Sequence, residues 1–462
     1  MTGLILRDVE VEGRRADVRI ADGLVAEVGS GLTGGPELDG RGGALIPGLI
    51  DHHIHLLATA ALADSVVLDD LRAAGGLAAR IAAATQGRPP GAWVRATGYH
   101  ERMAGLLDRD ALDAIAPVHR LRVQHQTGSL WVLNSLALSE VETADAPEAL
   151  ERDAAGRATG RIWRGDAWLS ARIGRTPPPL APLGARLAAM GITGCTDASA
   201  STDAQAAAIL AEAARDGHLP QRLVLMSAGP LAGPPDEAFA VGPLKILLDD
   251  HDLPDLDDML ARIGTARATR RPVAVHCVTA GELALTLAAF DVAGARPGDR
   301  VEHGGVIAPD AIPVLRRLGL TVVTQPGFVF ERGDRYLAEM PENEHADLYR
   351  CASLLAAGVP TGASSDAPYG SPDPWAALRA AATRRTREGR PIAPEERVAP
   401  AVALDLFLGD PANPGGPPRR VTPGARADLC LLRVPLRDAL AAPDAGHVAV
   451  TLVAGRIVHQ AG

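Results

Sequence analysis

The sequence predicts an α/β protein: a (β/α)8 TIM barrel, a small composite β-sandwich formed by the two ends of the chain, and an insertion after barrel strand 1. Two observations predict this fold. Through the middle of the chain, short apolar runs alternate with Ala- and Leu-rich segments of helical character, the order expected of parallel strands and connecting helices. Both ends contain only short strand-like runs. The eight runs assigned to the barrel are Ala44–His55, Gly191–Ala198, Arg222–Ser227, Leu244–Asp249, Val273–Val278, Arg300–Gly304, Thr321–Thr324 and Val359–Asp366.

The two ends of the chain are rich in short strands. Near the N-terminus, Leu4–Val11 is followed by two runs that flank Asp22–Gly23, a dipeptide typical of tight hairpins. Near the C-terminus, Val448–Leu452 is followed by a turn and a further short run. We expect the two ends to pair into one sandwich. The predicted domains are residues 1–47 and 402–462 for the sandwich, 48–401 for the barrel and 60–180 for the insertion.

Residues 60–180 do not fit a single strand–helix repeat. They contain two additional strand-like runs, Trp93–Tyr99 and Leu121–Thr127, then a polar stretch at residues 140–160 and three consecutive prolines at 177–179. We therefore interpret this region as an insertion between barrel strands 1 and 2.

The composition excludes several classes of protein. Of the 462 residues, 47% are hydrophobic and 22% are charged, as expected of a folded globular chain. No apolar stretch approaches the ~20 residues that a membrane span requires, and we expect no signal peptide and a cytoplasmic location. The net charge of −10, without basic runs, argues against nucleic acid as a partner. Four well-separated cysteines argue against a disulfide framework or a thiolate zinc site.

Lysine is almost absent from the chain. Of its 46 lysines and arginines only Lys245 is a lysine, and it lies in the apolar run Leu244–Leu248. Arginine keeps its proton in proteins, whereas a buried lysine can become a neutral amine. We therefore expect Lys245 to be required for chemistry. The alternative is a lysine whose ammonium group reaches solvent from a strand end.

The sharpest local motif is Pro47–Leu56, in which His53 and His55 close an apolar strand. Side chains two apart on a strand project from the same face, so both imidazoles can reach one metal ion, whereas His52 points away. The motif follows a Pro-Gly turn and lies at a strand end, where barrels place their active sites. It therefore predicts a metal site, although such a pair can also be structural.

Three further candidate ligands follow later strands: His276, His303 and Asp366. Each of them alone is more often a hydrogen-bonded structural residue. A barrel, however, brings the carboxyl ends of its strands together at one mouth. Imidazole and carboxylate ligands suit zinc or a similar divalent ion. The predicted ligand set is His53, His55, Lys245, His276, His303 and Asp366.

Several segments resemble the amidohydrolase superfamily and, within it, amidohydrolase family 3, the branch that contains the N-substituted formamide deformylases. The resemblance covers nearly the whole chain and is specific for the family but not for a substrate. The segments are PGLIDHHIH (47–55), GITGCTD (191–197), LKILLDD (244–250), VAVHCV (273–278), RVEHGG (300–305), ASSDAPYGSPDPW (363–375) and TPGARADL (422–429).

The resemblance implies a divalent metal centre, often with two ions; zinc is expected first, with manganese, iron and nickel as alternatives. The first ion would be held by His53, His55 and Asp366, and the second by His276 and His303. Lys245 would bridge them as a carbamate formed from its neutral amine and CO₂. Two cations would lower the pKa of a bridging water to give hydroxide near neutral pH, with Asp366 as general base and then acid. We expect cleavage of a C–N bond in a small N-acyl or cyclic amide.

Three alternatives stay open. A one-metal aminohydrolase, with Lys245 as a plain amine, would carry out deamination. Deaminating relatives carry a Glu where this chain has Thr279, and Glu282 comes too late for that role. A lactonase, esterase or phosphotriesterase would use the same site. A non-catalytic scaffold is the third alternative, and the presence of all six candidate ligands argues against it.

Other polar and aromatic residues near strand ends are candidates for contacts with a small-molecule substrate. Ordinary packing in loops is an equally open interpretation for each of them. A homodimer is left open as a further partner. The candidate substrate contacts are Tyr99, His100, His125, Gln126, Trp131, Gln325, Phe328 and Tyr369.

Overall fold

The computed structural model describes residues 3–68, 71, 74–127, 129–141, 146, 149–173 and 177–462. The chain divides into two compact units, one made of Met1–Leu56 and Leu180–Gly462 and the other of Leu57–Pro179. None of the described helices combines the length and the apolar character needed to cross a lipid bilayer.

The elements are numbered in chain order. The strands are β1 Leu4–Val11, β2 Arg14–Ala21, β3 Leu24–Gly29, β4 Glu37–Asp39, β5 Leu45–Pro47, β6 Leu49–Ile54, β7 Val66–Val67, β8 Trp93–Tyr99, β9 Arg120–His125, β10 Leu130–Leu133, β11 Leu150–Arg152, β12 Ala158–Trp163, β13 Ile192–Asp197, β14 Arg222–Ser227, β15 Ala240–Ile246, β16 Val273–Cys277, β17 Arg300–His303, β18 Thr321–Thr324, β19 Thr361–Ala363, β20 Leu429–Leu432, β21 Val448–Val453 and β22 Arg456–Gln460. The α-helices are α1 Leu56–Ala63, α2 Ala74–Thr85, α3 Glu101–Ala104, α4 Arg109–Ile115, α5 Ser135–Leu138, α6 Asp166–Ile173, α7 Leu180–Ala189, α8 Ala204–Arg215, α9 Leu256–Ala268, α10 Ala280–Ala293, α11 Ala311–Leu318, α12 Gly327–Glu339, α13 Ala352–Ala356, α14 Pro374–Thr383, α15 Pro400–Asp405 and α16 Leu436–Ala441.

Eight parallel strands form the barrel in the order β6, β13, β14, β15, β16, β17, β18, β19. Beyond the last strand, the Asp366 N–H donates to the His53 carbonyl and the His55 N–H donates to the Ala367 carbonyl, each over 2.8 Å. These bonds join the end of β6 to the segment after β19. The predicted (β/α)8 barrel is confirmed.

A hydrophobic core fixes the strands that carry three of the predicted ligands. Buried side chains of β15 to β18 pack under helices α9, α10 and α11, and members of this core include Ile246, Val275, Val301, Leu287 and Phe290. Because the apolar side chains of these strands are anchored outside the barrel, the polar side chains at the strand ends are held in register.

The two chain ends form two four-stranded sheets, β3-β2-β1-β4 and β22-β21-β20-β5. Hydrophobic residues of both ends share one core, as expected for a composite sandwich; members include Leu6, Val18, Leu45, Leu429 and Leu452. The predicted single run Ala44–His55 is split in the structure. Strand β5 pairs with β20 of the sandwich, and β6 begins the barrel after Gly48. A Cβ at Gly48 would meet the Thr193 side chain at 2.1 Å, so only glycine fits where the chain passes from β5 to β6.

The second unit contains a six-stranded sheet in the order β11-β12-β10-β9-β8-β7. Strands β7, β8 and β9 run parallel, and the remaining pairs are antiparallel. The sequence predicted β8 and β9 but not the other four strands. Strand β11, for example, lies in the polar stretch at residues 140–160 and has two exposed residues, so it lacks the alternating pattern of a half-buried strand.

Candidate metal centre

Three of the predicted ligands meet at the carboxyl end of β6. His53 lies in β6, His55 follows it, and Asp366 lies just beyond β19. The Asp366 Oδ1 atom is 3.4 Å from His53 Nε2 and 3.2 Å from His55 Nε2. One ligand atom from each residue lies within 4.8 Å of the others. Two imidazoles and a carboxylate at this spacing can hold a divalent metal ion.

Two of the predicted ligands have an unusual backbone conformation. The φ angle is +69° at His303 and +53° at Asp366, in the left-handed region that residues with a Cβ rarely adopt. Such strain persists where surrounding contacts hold it, often at functional sites. The buried Asp51 carboxylate accepts hydrogen bonds from the backbone N–H groups of Ser365 at 3.0 Å and His53 at 3.3 Å. Asp51 therefore anchors the chain on both sides of the site.

Lys245, His276 and His303 lie on three adjacent strands. The ring centroids of His276 and His303 are 4.5 Å apart, and those of His53 and His303 are 4.7 Å apart. Lys245 pairs in register with Ala274, two residues before His276. Lys245 is only 2% exposed, and its Nζ has no hydrogen-bond partner in the described part of the chain.

Burial controls the charge of these groups. Loss of hydration lowers the pKa of His53 and His303 well below the usual value and lowers the pKa of His276 to about 4, and neighbouring cations act in the same direction. Burial also lowers the pKa of Lys245. The imidazoles are therefore neutral near pH 7, with lone pairs available to a metal. The Lys245 amine is shifted toward the neutral form that reacts with CO₂.

Unsatisfied polar atoms mark the same place. Among the described residues, His53 Nε2, Lys245 Nζ and Asp366 Oδ1 are buried without a hydrogen-bond partner. Burying polar atoms without partners is costly, and such atoms are uncommon in folded proteins. A divalent cation with His53 and Asp366 as ligands, and with Lys245 as a carbamate ligand, would satisfy all three atoms. The donor set therefore fits the predicted metal centre.

In three of the candidate histidines, the ring nitrogen Nδ1 has a partner that orients the ring. A partner on Nδ1 leaves Nε2 as the metal-binding atom and fixes the orientation of the ring. The three contacts are His53 Nδ1 with Glu302 Oε2, His55 Nδ1 with Ser199 Oγ at 2.9 Å, and His303 Nδ1 with Gln325 Oε1 at 3.0 Å.

Glu302 and Ser199 were not among the residues predicted from the sequence. Glu302 directly precedes His303 and is two residues after Arg300 on a barrel strand, and both of these charged residues are buried. The sequence did contain a signal for Glu302. Arg300 and Glu302 are two charged residues spaced two positions apart on a predicted barrel strand, and side chains at that spacing share a face. Ser199 carried no comparable signal, since a serine in a loop after a strand is common.

The predicted substrate contacts of the barrel unit occupy different environments. Tyr369 is 59% exposed, and its ring centroid lies 5.6 Å from that of His55, so it remains a candidate substrate contact. Gln325 is buried, and its amide is hydrogen-bonded to His303 Nδ1 and to Ser364 Oγ, each at 3.0 Å. These bonds favour a positioning role for Gln325. Phe328 is buried against Tyr349, which favours packing over the predicted contact.

The five predicted substrate contacts of the second unit also differ from one another. Tyr99 and Trp131 lie in hydrophobic cores, which favours packing for both. Gln126 is exposed. His100 and His125 form a compact group with Glu101, whose Oε2 atom lies 3.1 Å from His125 Nε2. Each of the two rings accepts a backbone N–H at Nδ1, so in neutral rings the proton is on Nε2. The group is therefore a hydrogen-bonded cluster.

Glu282 has a structural role. Its side chain is buried and accepts the backbone N–H groups of Val278 at 2.6 Å and Thr279 at 2.9 Å, while Thr279 caps helix α10. This capping box holds the carboxylate at the helix start. A cavity of about 570 Å³, lined by His276 among others, opens beside it. That volume lies within the range of small-molecule sites.

Comparison with known proteins reveals extensive similarity. A sequence model of the amidohydrolase family matches residues 37–459. N-substituted formamide deformylase from Arthrobacter pascens is 26% identical, over 92% of this chain and 88% of its own. An uncharacterised metal-dependent hydrolase from Pyrococcus horikoshii has a TM-score of 0.77 at 18% identity, covering 99% of this chain and 100% of its own. One from Pyrococcus furiosus has a TM-score of 0.74 at 19% identity, covering 92% and 98%. These two structures share the fold.

Proposed function

This chain belongs to amidohydrolase family 3, and on that premise we propose that it hydrolyses a small N-acyl or cyclic amide at a centre of two divalent ions. The match to the family model confirms the family assignment made from the sequence motifs. Membership of this family makes the protein a metal-dependent hydrolase of C–N bonds. The number of ions, the carbamate and the substrate are parts of the proposal.

One observation carries the proposal: Lys245, which is buried and has no hydrogen-bond partner among the described residues, accompanies a His-His-Asp cluster in which His53 and Asp366 are buried and His55 is partly buried. His53, His55 and Asp366 would hold one ion, and His276 and His303 the other. Lys245 would bridge them as a carbamate, because its buried amine is shifted toward the neutral form. When bound, the two ions would supply a water of lowered pKa and polarise the scissile carbonyl.

Asp366 is the proposed proton carrier. Its Oδ1 atom has no hydrogen-bond partner in the described part of the chain and lies 3.4 Å from His53 Nε2 and 3.2 Å from His55 Nε2. The backbone at Asp366 is in the left-handed region, and its N–H donates to the His53 carbonyl. It would accept a proton from the attacking water and donate it to the leaving nitrogen. General acid–base catalysis of this kind contributes about 10²- to 10⁴-fold to a rate.

Two observations support amide cleavage over deamination. The relative from Arthrobacter pascens is named for deformylation of N-substituted formamides, which is hydrolysis of an acyclic amide. The Glu282 carboxylate is engaged by the backbone of helix α10 and is unavailable for proton transfer to an amine. We therefore propose N-formyl and other short N-acyl amines first, and cyclic amides second.

The first test is the metal content per chain of protein purified without chelators in the presence of bicarbonate, measured by elemental mass spectrometry. We expect close to two ions, with fewer in Lys245→Ala. Lys245→Met is the matched control, because it keeps the length of the buried side chain but cannot form the carbamate. Addition of propionate to Lys245→Ala should restore part of the second ion, since a free carboxylate can occupy the place of the carbamate.

The alternatives give different results. One ion per chain, unchanged by either Lys245 variant, would reject the carbamate bridge and favour a one-metal aminohydrolase. A panel of N-formyl amines, cyclic amides and lactones then separates the substrate classes. Turnover of lactones alone would reject C–N cleavage as the main activity of this site, and no turnover of any class by metal-loaded protein would favour the scaffold.

A further inference from the structure

A buried ion pair links β17 across the barrel interior to β6. The Arg300 Nε atom donates to Glu302 Oε1, and Glu302 Oε2 is hydrogen-bonded to His53 Nδ1. An Arg300 guanidinium nitrogen also donates to the carbonyl of His52 at 3.2 Å. Arg300, Glu302 and His53 are all buried. The pair therefore contacts two consecutive residues of β6 that lie about 250 positions earlier in the chain.

The three oriented histidines have chemically different partners. His53 faces a carboxylate, whereas His303 faces the neutral amide of Gln325 and His55 faces the hydroxyl of Ser199. A carboxylate on the remote N–H of an imidazole fixes its tautomer and raises the electron-donating power of the other nitrogen. Hydrogen bonds to a charged acceptor are also stronger than those to a neutral one.

His276 differs from these three histidines in having no hydrogen bond that orients its ring among the described residues. Its ring contacts the ring of His303. It also lines the open cavity beside residues 247–252. The orientation of this imidazole therefore depends on packing alone.

We propose that Glu302, held by Arg300, is a positioning residue for His53 that makes the His53–His55–Asp366 position the tighter of the two metal positions. The ion at His276 and His303 is the exchangeable one. Arg300 neutralises Glu302, so the pair increases the donor strength of His53 without leaving an unpaired charge in the core. The inference rests on the proposed metal centre.

The test measures metal affinity at each position separately, by competition with a chromophoric chelator. A His276→Ala background retains the ligands of the first position, and an Asp366→Ala background retains those of the second. In the first background, Glu302→Gln should weaken zinc binding by about 10- to 100-fold. In the second background, the same substitution should change the affinity by less than about threefold, since in the described part of the chain Glu302 is hydrogen-bonded to His53 and Arg300 and to neither imidazole of that position.

Matched variants distinguish positioning from general stability. Glu302→Gln leaves Arg300 buried without a counter-charge, so the neutral double variant Arg300→Gln with Glu302→Gln is measured beside it. Gln325→Met removes the acceptor of His303 and should weaken the second position but not the first. Cobalt-loaded protein gives a spectroscopic readout, because the visible bands of the ion at the first position should shift in both Glu302 variants.

Two results would overturn the proposal. The first is unchanged zinc affinity and cobalt bands at the first position in both Glu302 variants. The second is equal weakening at both positions together with a lower melting temperature, which would indicate a purely structural role. A wild-type protein that binds one ion would reject the two-metal centre instead, and Glu302 would still be tested on that single ion.

Discussion

The backbone N–H of Asp366 donates to the carbonyl oxygen of His53 over 2.8 Å, although the two residues lie 313 positions apart in the chain. This bond fixes the backbones that carry the Asp366 carboxylate and the His53 imidazole, whose Oδ1 and Nε2 atoms are 3.4 Å apart. The site is therefore assembled by the backbone, and the side chains require little further ordering to bind an ion.

Asp366→Asn should reduce kcat by about 10²- to 10⁴-fold, because the amide cannot accept the proton of the attacking water. Steady-state kinetics with the best amide of the panel, beside the metal content of the same preparation, provide the test. Retained kcat in fully metal-loaded protein would remove Asp366 from proton transfer. Asp373→Asn is a control, since that carboxylate accepts the Trp375 N–H at the start of helix α14.

Asp51→Asn should lower the free energy of unfolding by about 1–3 kcal/mol, because a buried acceptor of several hydrogen bonds is altered. The partner substitution is Ser365→Ala, since the Ser365 hydroxyl donates to Asp51. Urea denaturation of both single variants and the double variant gives a coupling energy, which we expect at about 0.5–3 kcal/mol. Additive effects would contradict the proposed anchoring of the loop by this pair.

Glu396→Gln should lower the free energy of unfolding by about 3 kcal/mol at pH 7, because it breaks a buried ion pair. Glu396 accepts from Arg350 at 2.6 Å and from the backbone of Cys351 at 2.9 Å. These bonds, together with those from Ser353, outweigh burial and lower the pKa of Glu396 in the folded state. Glu339→Gln, on an exposed pair with Arg335, should change stability little.

The contribution of Glu396 to the free energy of unfolding should decrease as the pH falls. A carboxyl group with a lowered pKa stabilises the fold above its unfolded pKa of about 4.3 and loses that effect as the pH falls through the folded pKa. Unfolding of wild type and Glu396→Gln, measured from pH 7 downward, should therefore converge below about pH 4. A constant difference across that range would contradict the ionised state assigned to Glu396.

Tyr369→Ala should raise KM by about tenfold, which corresponds to about 1.4 kcal/mol, without changing the metal content. The exposed ring lies beside His55 and offers an apolar surface to a bound substrate. Tyr369→Phe separates the ring from the hydroxyl. An unchanged KM in Tyr369→Ala would indicate that this side chain lies outside the substrate site.

Much of this protein is determined by local sequence pattern. The spacing of two between His53 and His55 is sufficient to place both imidazoles on one face, because strand geometry repeats every two residues. The alternation of strands and helices is likewise a local pattern, and from it the barrel and the common end of its strands follow. Lys245 was identified because it is the single lysine of the sequence, and the structure then places it in the interior.

Only the tertiary structure decided which partners the site residues have. Glu302 meets His53, and Ser365 meets Asp51, through contacts between residues that are hundreds of positions apart. It also placed Phe328 and Trp131 in hydrophobic cores, although their sequence positions equally suited a substrate site. The physical reason is that strand and helix periodicity specifies the face on which a side chain lies. The closure of the barrel and the packing of its cores specify what that face meets.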